Sequence, residues 1–309
     1  MVPDPRPEEP AGPDVGVLGA VEVVPGLVRA ALFTRAGAVR ERAQARFDAR
    51  SADPAVVDAA LTEAVAVFAG QGLLGVGVAA AGVVDPVAGR IIEANDAPAL
   101  RGYPLADRLA GLTGAPVRIE HRARVQVLGD HWFGAGRGRR SFASVATGEV
   151  LGVGIFHEGE VLAPVGGRSG AHMTVTASGE TCTCGRRGCW KTVATTRWLR
   201  ERAAAHGMAP EASSLGALVA SGDPGARDLV AGYAENLVLG LATVQQLFAC
   251  GLFVLHGEAL DGGESFRALV EKRLRADAIG GGEAPTVVLG EAADTGALYG
   301  AAGLVLSGR

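Results

Sequence analysis

Three of the chain's four cysteines, Cys182, Cys184 and Cys189, fall within eight residues, and this cluster limits the fold more than any other feature of the sequence. Gly185 and Gly188 lie inside it and supply the tight backbone that lets three thiolates converge on one point. His172, upstream of the cluster, can close a fourth corner. A Cys3His set suits a tetrahedral Zn²⁺, and four protein ligands leave no open position for a catalytic water, so the expected zinc is structural. A disulfide or a set of buried thiols are the alternatives. Three close cysteines with a histidine, in a chain that reads as cytoplasmic, favour the metal.

The cytoplasmic reading comes from what surrounds the cluster. Residues 1–14 are rich in Pro and Glu, contain no apolar run, and read as a disordered tail rather than a signal peptide or anchor. No stretch has the length of a membrane span. At 309 residues and 48% hydrophobic content the chain can bury a full core. The net charge of −4, with no dense basic run, advertises no nucleic-acid footprint.

Strands grouped in threes with helices between them, in each half, predict an α/β fold of two lobes with a cleft. Val15 to Phe33 is apolar and broken by Pro25-Gly26, a hairpin signal, and Gly37 turns the chain into a third strand. Val56, Val57, Ala60, Leu61, Ala64, Val65 and Phe68 recur at helical spacing behind Asp53-Pro54. Leu74 to Ala80 and Val117 to Glu120 read as strands, and Thr196 to Ala205 and Tyr233 to Phe248 as helices. The boundaries expected are a tail over 1–14, an N-terminal lobe over 15–117 completed by 292–309, and a C-terminal lobe over 118–291 that carries the zinc site.

The spacing His-x9-Cys-x-Cys-Gly-x2-Gly-Cys, with Met173 after the histidine, resembles the signature of the ROK family of bacterial sugar kinases and sugar-responsive repressors. The resemblance runs from about Val15 to the C-terminus and implies the actin-like, ribonuclease-H-like ATPase fold. It also implies site residues. Gly82 and Asn95 stand where the family touches its sugar, though Asn95 before Asp96 and Pro98 is as easily a turn residue.

At the family's Glu-Asn-Asp-x-Asn, whose aspartate is the general base, this chain has Glu120-His121-Arg122-Ala123-Arg124. A guanidinium stays protonated, so Arg122 cannot serve as base. The two sugar-binding glutamates correspond to Ser169 and Lys191. The first phosphate loop reads Glu22-Val23-Val24-Pro25-Gly26 and the second Gly148-Glu149-Val150-Leu151-Gly152, with Val24 and Val150 replacing glycines and Glu149 a threonine. A carboxylate repels a triphosphate, so ATP is expected to be rejected.

The resemblance therefore implies a divergent member without the catalytic aspartate. We expect a kinase-inactive protein of the regulator or sensor type that binds a small metabolite in the cleft through Gly82, Asn95, His121, Arg122, Ser169, His172 and Lys191. Replacing acids and amides with Arg122, Arg124 and Lys191 points to an anionic, sugar-like ligand, unless Arg122 pairs internally with Glu120 or Glu149. The alternatives are an active sugar kinase and a different enzyme using His121, Arg122 and Lys191. A homodimer is expected from the family, and fourteen leading residues are too few for the helix-turn-helix that family repressors carry.

Overall fold

The computed structural model describes residues 16–94, 97–163, 169–277, 284–290 and 296–308. The expected tail over 1–14 and Asn95 lie outside the described residues. The chain divides into two compact units, Met1–Gly138 with Thr295–Arg309, and Arg139–Asp294.

In the first unit, β1 (Val17–Val24) and β2 (Leu27–Phe33) form the expected hairpin across Pro25-Gly26. Gly26 at φ +79° supplies the left-handed second position that such a Pro-Gly turn requires. β3 (Val39–Arg46) follows as the edge strand. α1 (Ala55–Val65) carries the predicted apolar stripe and buries Val57, Ala60, Leu61, Ala64 and Val65. β4 (Leu73–Ala80) leads into a small ribbon, β5 (Val83–Asp85) with β6 (Arg90–Glu93). After α2 (Leu105–Thr113), β7 (Val117–His121) pairs parallel with β4, and α3 (Arg122–Phe133) starts directly at its end. The sheet order is β3-β2-β1-β4-β7.

In the second unit, β8 (Phe142–Thr147), β9 (Gly152–His157) and β10 (Glu160–Val161) form a meander. α4 (Thr196–Ala205), α5 (Leu215–Ala220) and α6 (Pro224–Phe248) precede β11 (Leu252–Gly257). α7 (Glu258–Ala276), kinked at Gly263, leads to β12 (Thr286–Leu289). α6 begins at Pro224, well before the expected Tyr233. Asp223 caps it by accepting from the Ala226 N–H at 2.9 Å, and Pro224 takes the first turn, a start signal that outweighs Gly225 and Gly232.

The second sheet, β10-β9-β8-β11-β12, repeats the first in pattern: an antiparallel pair on one side of a central strand and two parallel strands on the other. This is the topological form of two copies of one unit. The chain then returns to the first unit as α8 (Gly296–Leu306).

α3 belongs with the first unit, which moves the division to Gly138 from the expected 117/118. The cause is the packing of α3 on α8, where glycines bring the backbones together. A Cβ on Gly300 would lie 2.2 Å from the Val125 carbonyl oxygen, and one on Gly129 2.9 Å from the Gly300 nitrogen. Each unit has its own apolar core, around Val21, Val28, Leu61 and Val78 in the first, and Trp190, Tyr233, Phe253 and Phe266 in the second.

Candidate functional site

β1, β4 and β7 are parallel and in register, with Glu22 beside Ala79 and Ala79 beside Glu120. Their carboxyl ends therefore come together, which is where open α/β sheets place ligands. Glu22 is the most deeply buried charge of this edge among the described residues, with 1% of its side chain exposed. Arg122, the first residue of α3, donates from Nε to Glu22 Oε1 at 2.6 Å, and Arg29 of β2 donates from Nη1 to Oε2 at 3.0 Å. A carboxylate this deep needs such partners, because an unpaired buried charge is costly.

Among the described residues the partner of Arg122 is thus Glu22, while Glu120 and Glu149 pair with Arg124 and Arg200. Glu120 instead takes buried Arg124 at 3.2 Å, which withdraws one of the three cations expected to make an anion-binding pocket. Desolvation of Glu120 still raises its pKa against that pairing.

His121 caps α3 by accepting the Ala123 N–H on Nδ1 at 3.2 Å, which leaves the proton of the neutral ring on Nε2. Burial, with Arg124 and Arg122 adding repulsion, pushes its pKa down to about 4 from 6.5. A depressed histidine contributes stability that is fully present above pH 6.5 and is lost as the pH falls towards 4. The loss is on the order of 3 kcal/mol. His121→Asn, which keeps a capping oxygen and cannot titrate, is expected to flatten that part of the urea-derived stability profile. An unchanged profile between pH 6.5 and 4 would refute the assignment.

Gly82 has φ +97°, and a Cβ there would lie 2.2 Å from the Glu93 carbonyl oxygen. The turn into the β5–β6 ribbon thus accounts for this glycine without a ligand. In the second unit the turn between β8 and β9 is tied down from α4. The Thr196 N–H donates to the Gly148 carbonyl at 3.1 Å, and Arg200 pairs with Glu149, whose carboxyl it holds below the usual range. Glu149 therefore stays charged at neutral pH. Nothing in the spacing of the chain marks Arg200 as its partner.

Ser169, His172 and Lys191 also belong to the second unit, on two backbone segments that pair. The Lys191 N–H donates to the Ala171 carbonyl at 2.9 Å and the Trp190 N–H to that of Met173 at 2.7 Å, so residues 171–173 run beside 189–191. That pairing carries His172 to the cysteines. The ligand atoms of His172, Cys182, Cys184 and Cys189 all lie within 4.8 Å of one another. Cys182 Sγ stands 3.5 Å from His172 Nδ1, and the Cys184 and Cys189 sulfurs are 3.6 Å apart. A tetrahedral ion with bonds of about 2.3 Å to sulfur and 2.0–2.1 Å to nitrogen sets edges of ~3.6 Å for S···N and ~3.8 Å for S···S. The four side chains are spaced to hold such an ion.

Gly188 makes the tight loop possible: at φ +65°, a Cβ would lie 1.7 Å from the Thr176 carbonyl oxygen. Trp190, fully buried, anchors the loop by donating from its indole N–H to the Asn236 carbonyl at 2.8 Å. Burial pushes the Cys189 thiol up to about 12, with the neighbouring sulfurs adding to the shift, so three thiolates share this space only with a cation among them.

A family model described as "ROK family" matches residues 19–307. A glucokinase of Thermotoga maritima is 36% identical over 135 residues, covering 41% of this chain and 42% of that protein. A xylose repressor of Bacillus spizizenii is 31% identical over 132 residues, covering 41% of this chain and 33% of the repressor. Both alignments thus span less than half of the relative's length. The crystal structure of a ROK family glucokinase from Streptomyces griseus, in complex with glucose and AMPPNP, superposes with a TM-score of 0.77 at 27% identity, over 94% of this chain and all of that one.

Proposed function

The chain belongs to the ROK family and has the two-unit, actin-like α/β fold of its sugar kinases, and from this premise we propose that it is a kinase-inactive member of the regulator or sensor type. It binds a small sugar-like metabolite and carries a structural zinc ion on His172, Cys182, Cys184 and Cys189. Its relatives include glucokinases and sugar repressors, so the family allows either role.

The observation that carries the choice is the ion pair of Arg122 with buried Glu22. In the resemblance Arg122 holds the position of the general base and Glu22 that of the first phosphate loop's aspartate. A base must accept a proton, and a guanidinium locked on a carboxylate cannot. The carboxylate in turn is spent on Arg122 and Arg29. Glu149, kept ionised by Arg200 in the second phosphate loop, adds repulsion against a triphosphate. Zinc braces the second unit whether or not phosphoryl transfer occurs, because its four ligands leave no place for substrate.

Among the described residues no helix is long and apolar enough to cross a membrane. A homodimer is the assembly we expect.

A coupled ADP-release assay over the common hexoses tests this reading. The expected result is no sugar-dependent turnover. A rate above roughly 1 s⁻¹, the low end of ordinary enzyme rates, would overturn it in favour of an active sugar kinase.

A further inference from the structure

We propose that the first unit carries an oxyanion-binding site at the β2–β3 side of its sheet, where the Glu22 face emerges from under α8, built from Arg29, Arg42, Arg46 and Arg122 around Glu22. It takes a small multivalent anion bearing phosphate or carboxylate groups. The proposal rests on the reading that this strand end no longer transfers phosphate.

The placement follows from strand register. Residues directly opposite one another in an antiparallel pair share a face. Glu22 stands opposite Arg29, and Arg29 opposite Gln44, so the three form a row across β1, β2 and β3. Arg42 and Arg46 flank Gln44 on β3, opposite Ala31 and Leu27, and are exposed. On this face the rows of the three strands contribute Leu18, Ala20, Val24, Phe33 and Val39 besides these residues, so Glu22 is the one carboxylate among these paired positions. Arg122 reaches the same carboxylate from the start of α3. Four guanidinium groups thus face one carboxylate, in a chain whose net charge is −4.

The donors are also placed to be used. The ion pairs engage Nε of Arg122 and Nη1 of Arg29. Among the described residues the two terminal nitrogens of Arg122, and Nε and Nη2 of Arg29, have no hydrogen-bond partner. Both side chains are about a third exposed, at 30% and 29%. Glu22 fixes the two forks without neutralising them, and a preorganised pair of planar forks matches the paired oxygens of phosphate or carboxylate. The exposed Arg42 and Arg46 add field and draw in a second charged group of the same ligand.

Isothermal titration of the full chain with inorganic pyrophosphate, with citrate and with glucose tests this and separates the two anion sources. Saturable binding of pyrophosphate or citrate, with glucose at least tenfold weaker, is expected; the tighter of the two anions names the group. Arg29→Met should weaken the anion roughly tenfold, the worth of one charge-assisted fork. The exposed pair Arg42→Gln/Arg46→Gln, which leaves Glu22 and its partners intact, should weaken it about threefold or more and reduce the salt dependence. Glu22→Gln should strengthen it. No saturable anion binding at about 10 mM or below, or affinity unmoved in the Arg42/Arg46 variant, would overturn the site. Tight binding confined to a single-stranded oligonucleotide added as a fourth ligand would also overturn it. Hexose turnover would sink the kinase-inactive reading while leaving these titrations as they stand.

Discussion

Protein purified without chelator is expected to hold one zinc ion per chain, and Cys189→Ala is expected to lose it and lower the Tm of the second unit by on the order of 10 °C. Residues 169–192 contain little regular structure to stand in for the ion: two isolated bridges, Thr174 with Cys189 and Thr181 with Arg187, and a single helical turn at Trp190–Thr192. The side chains that the loop buries are few, chiefly Ala171, Cys182, Cys189 and Trp190. A ligand present at about a thousand times its Kd stabilises by ~4 kcal/mol. For a unit of this size each kcal/mol moves Tm by about 2–4 °C. Chelation should also open Arg186 and Arg187 to trypsin. Cys250→Ala, at a buried thiol outside the cluster, should leave the zinc content unchanged. Less than half an equivalent by metal analysis would refute the site.

The second large effect is expected in the first unit, where Gly77→Ala should cost more than ~4 kcal/mol or leave the protein insoluble. A Cβ at Gly77 of β4 would lie 1.8 Å from the Ala301 carbonyl oxygen of α8, a backbone atom that cannot rotate away. Helix α8 has the same closeness to α3 through Gly300, so it cannot retreat from the sheet without opening that contact. Gly72→Ala is the control, since nothing lies within 4 Å of a Cβ there. Its stability should stay within about 0.5 kcal/mol of the parent. If Gly77→Ala melts within about 2 °C of the parent, the close packing of α8 on the sheet is wrong.

Much of the candidate site is legible in the amino-acid sequence, and the part that is not has a common cause. The Cys3His set can be read because its members lie within one short stretch, where glycine spacing alone predicts convergence. Arg29 is within reach of the same reasoning: a two-residue turn at Pro25-Gly26 sets Glu22 opposite it by simple counting. A lone glutamate in the apolar run Val17–Val24 calls for such a cation. Charge alone is the poorer guide. By charge, Arg122 and Arg124 add to an open pocket, whereas in the fold each meets a carboxylate.

The sequence by itself determined the family, the α/β class, most strands and the convergence of the Cys3His set, because these depend on local periodicity and on residues close in the chain. Tertiary structure alone decided that Arg122 reaches Glu22 across a hundred positions, that α3 packs with α8, and that Arg200 holds Glu149. Such pairings follow from the parallel register of β1, β4 and β7, from backbone approach of α3 and α8 at glycines, and from the tie of α4 to the β8–β9 turn. All are set by the folding of distant segments onto one another, and none leaves a period or spacing in the chain.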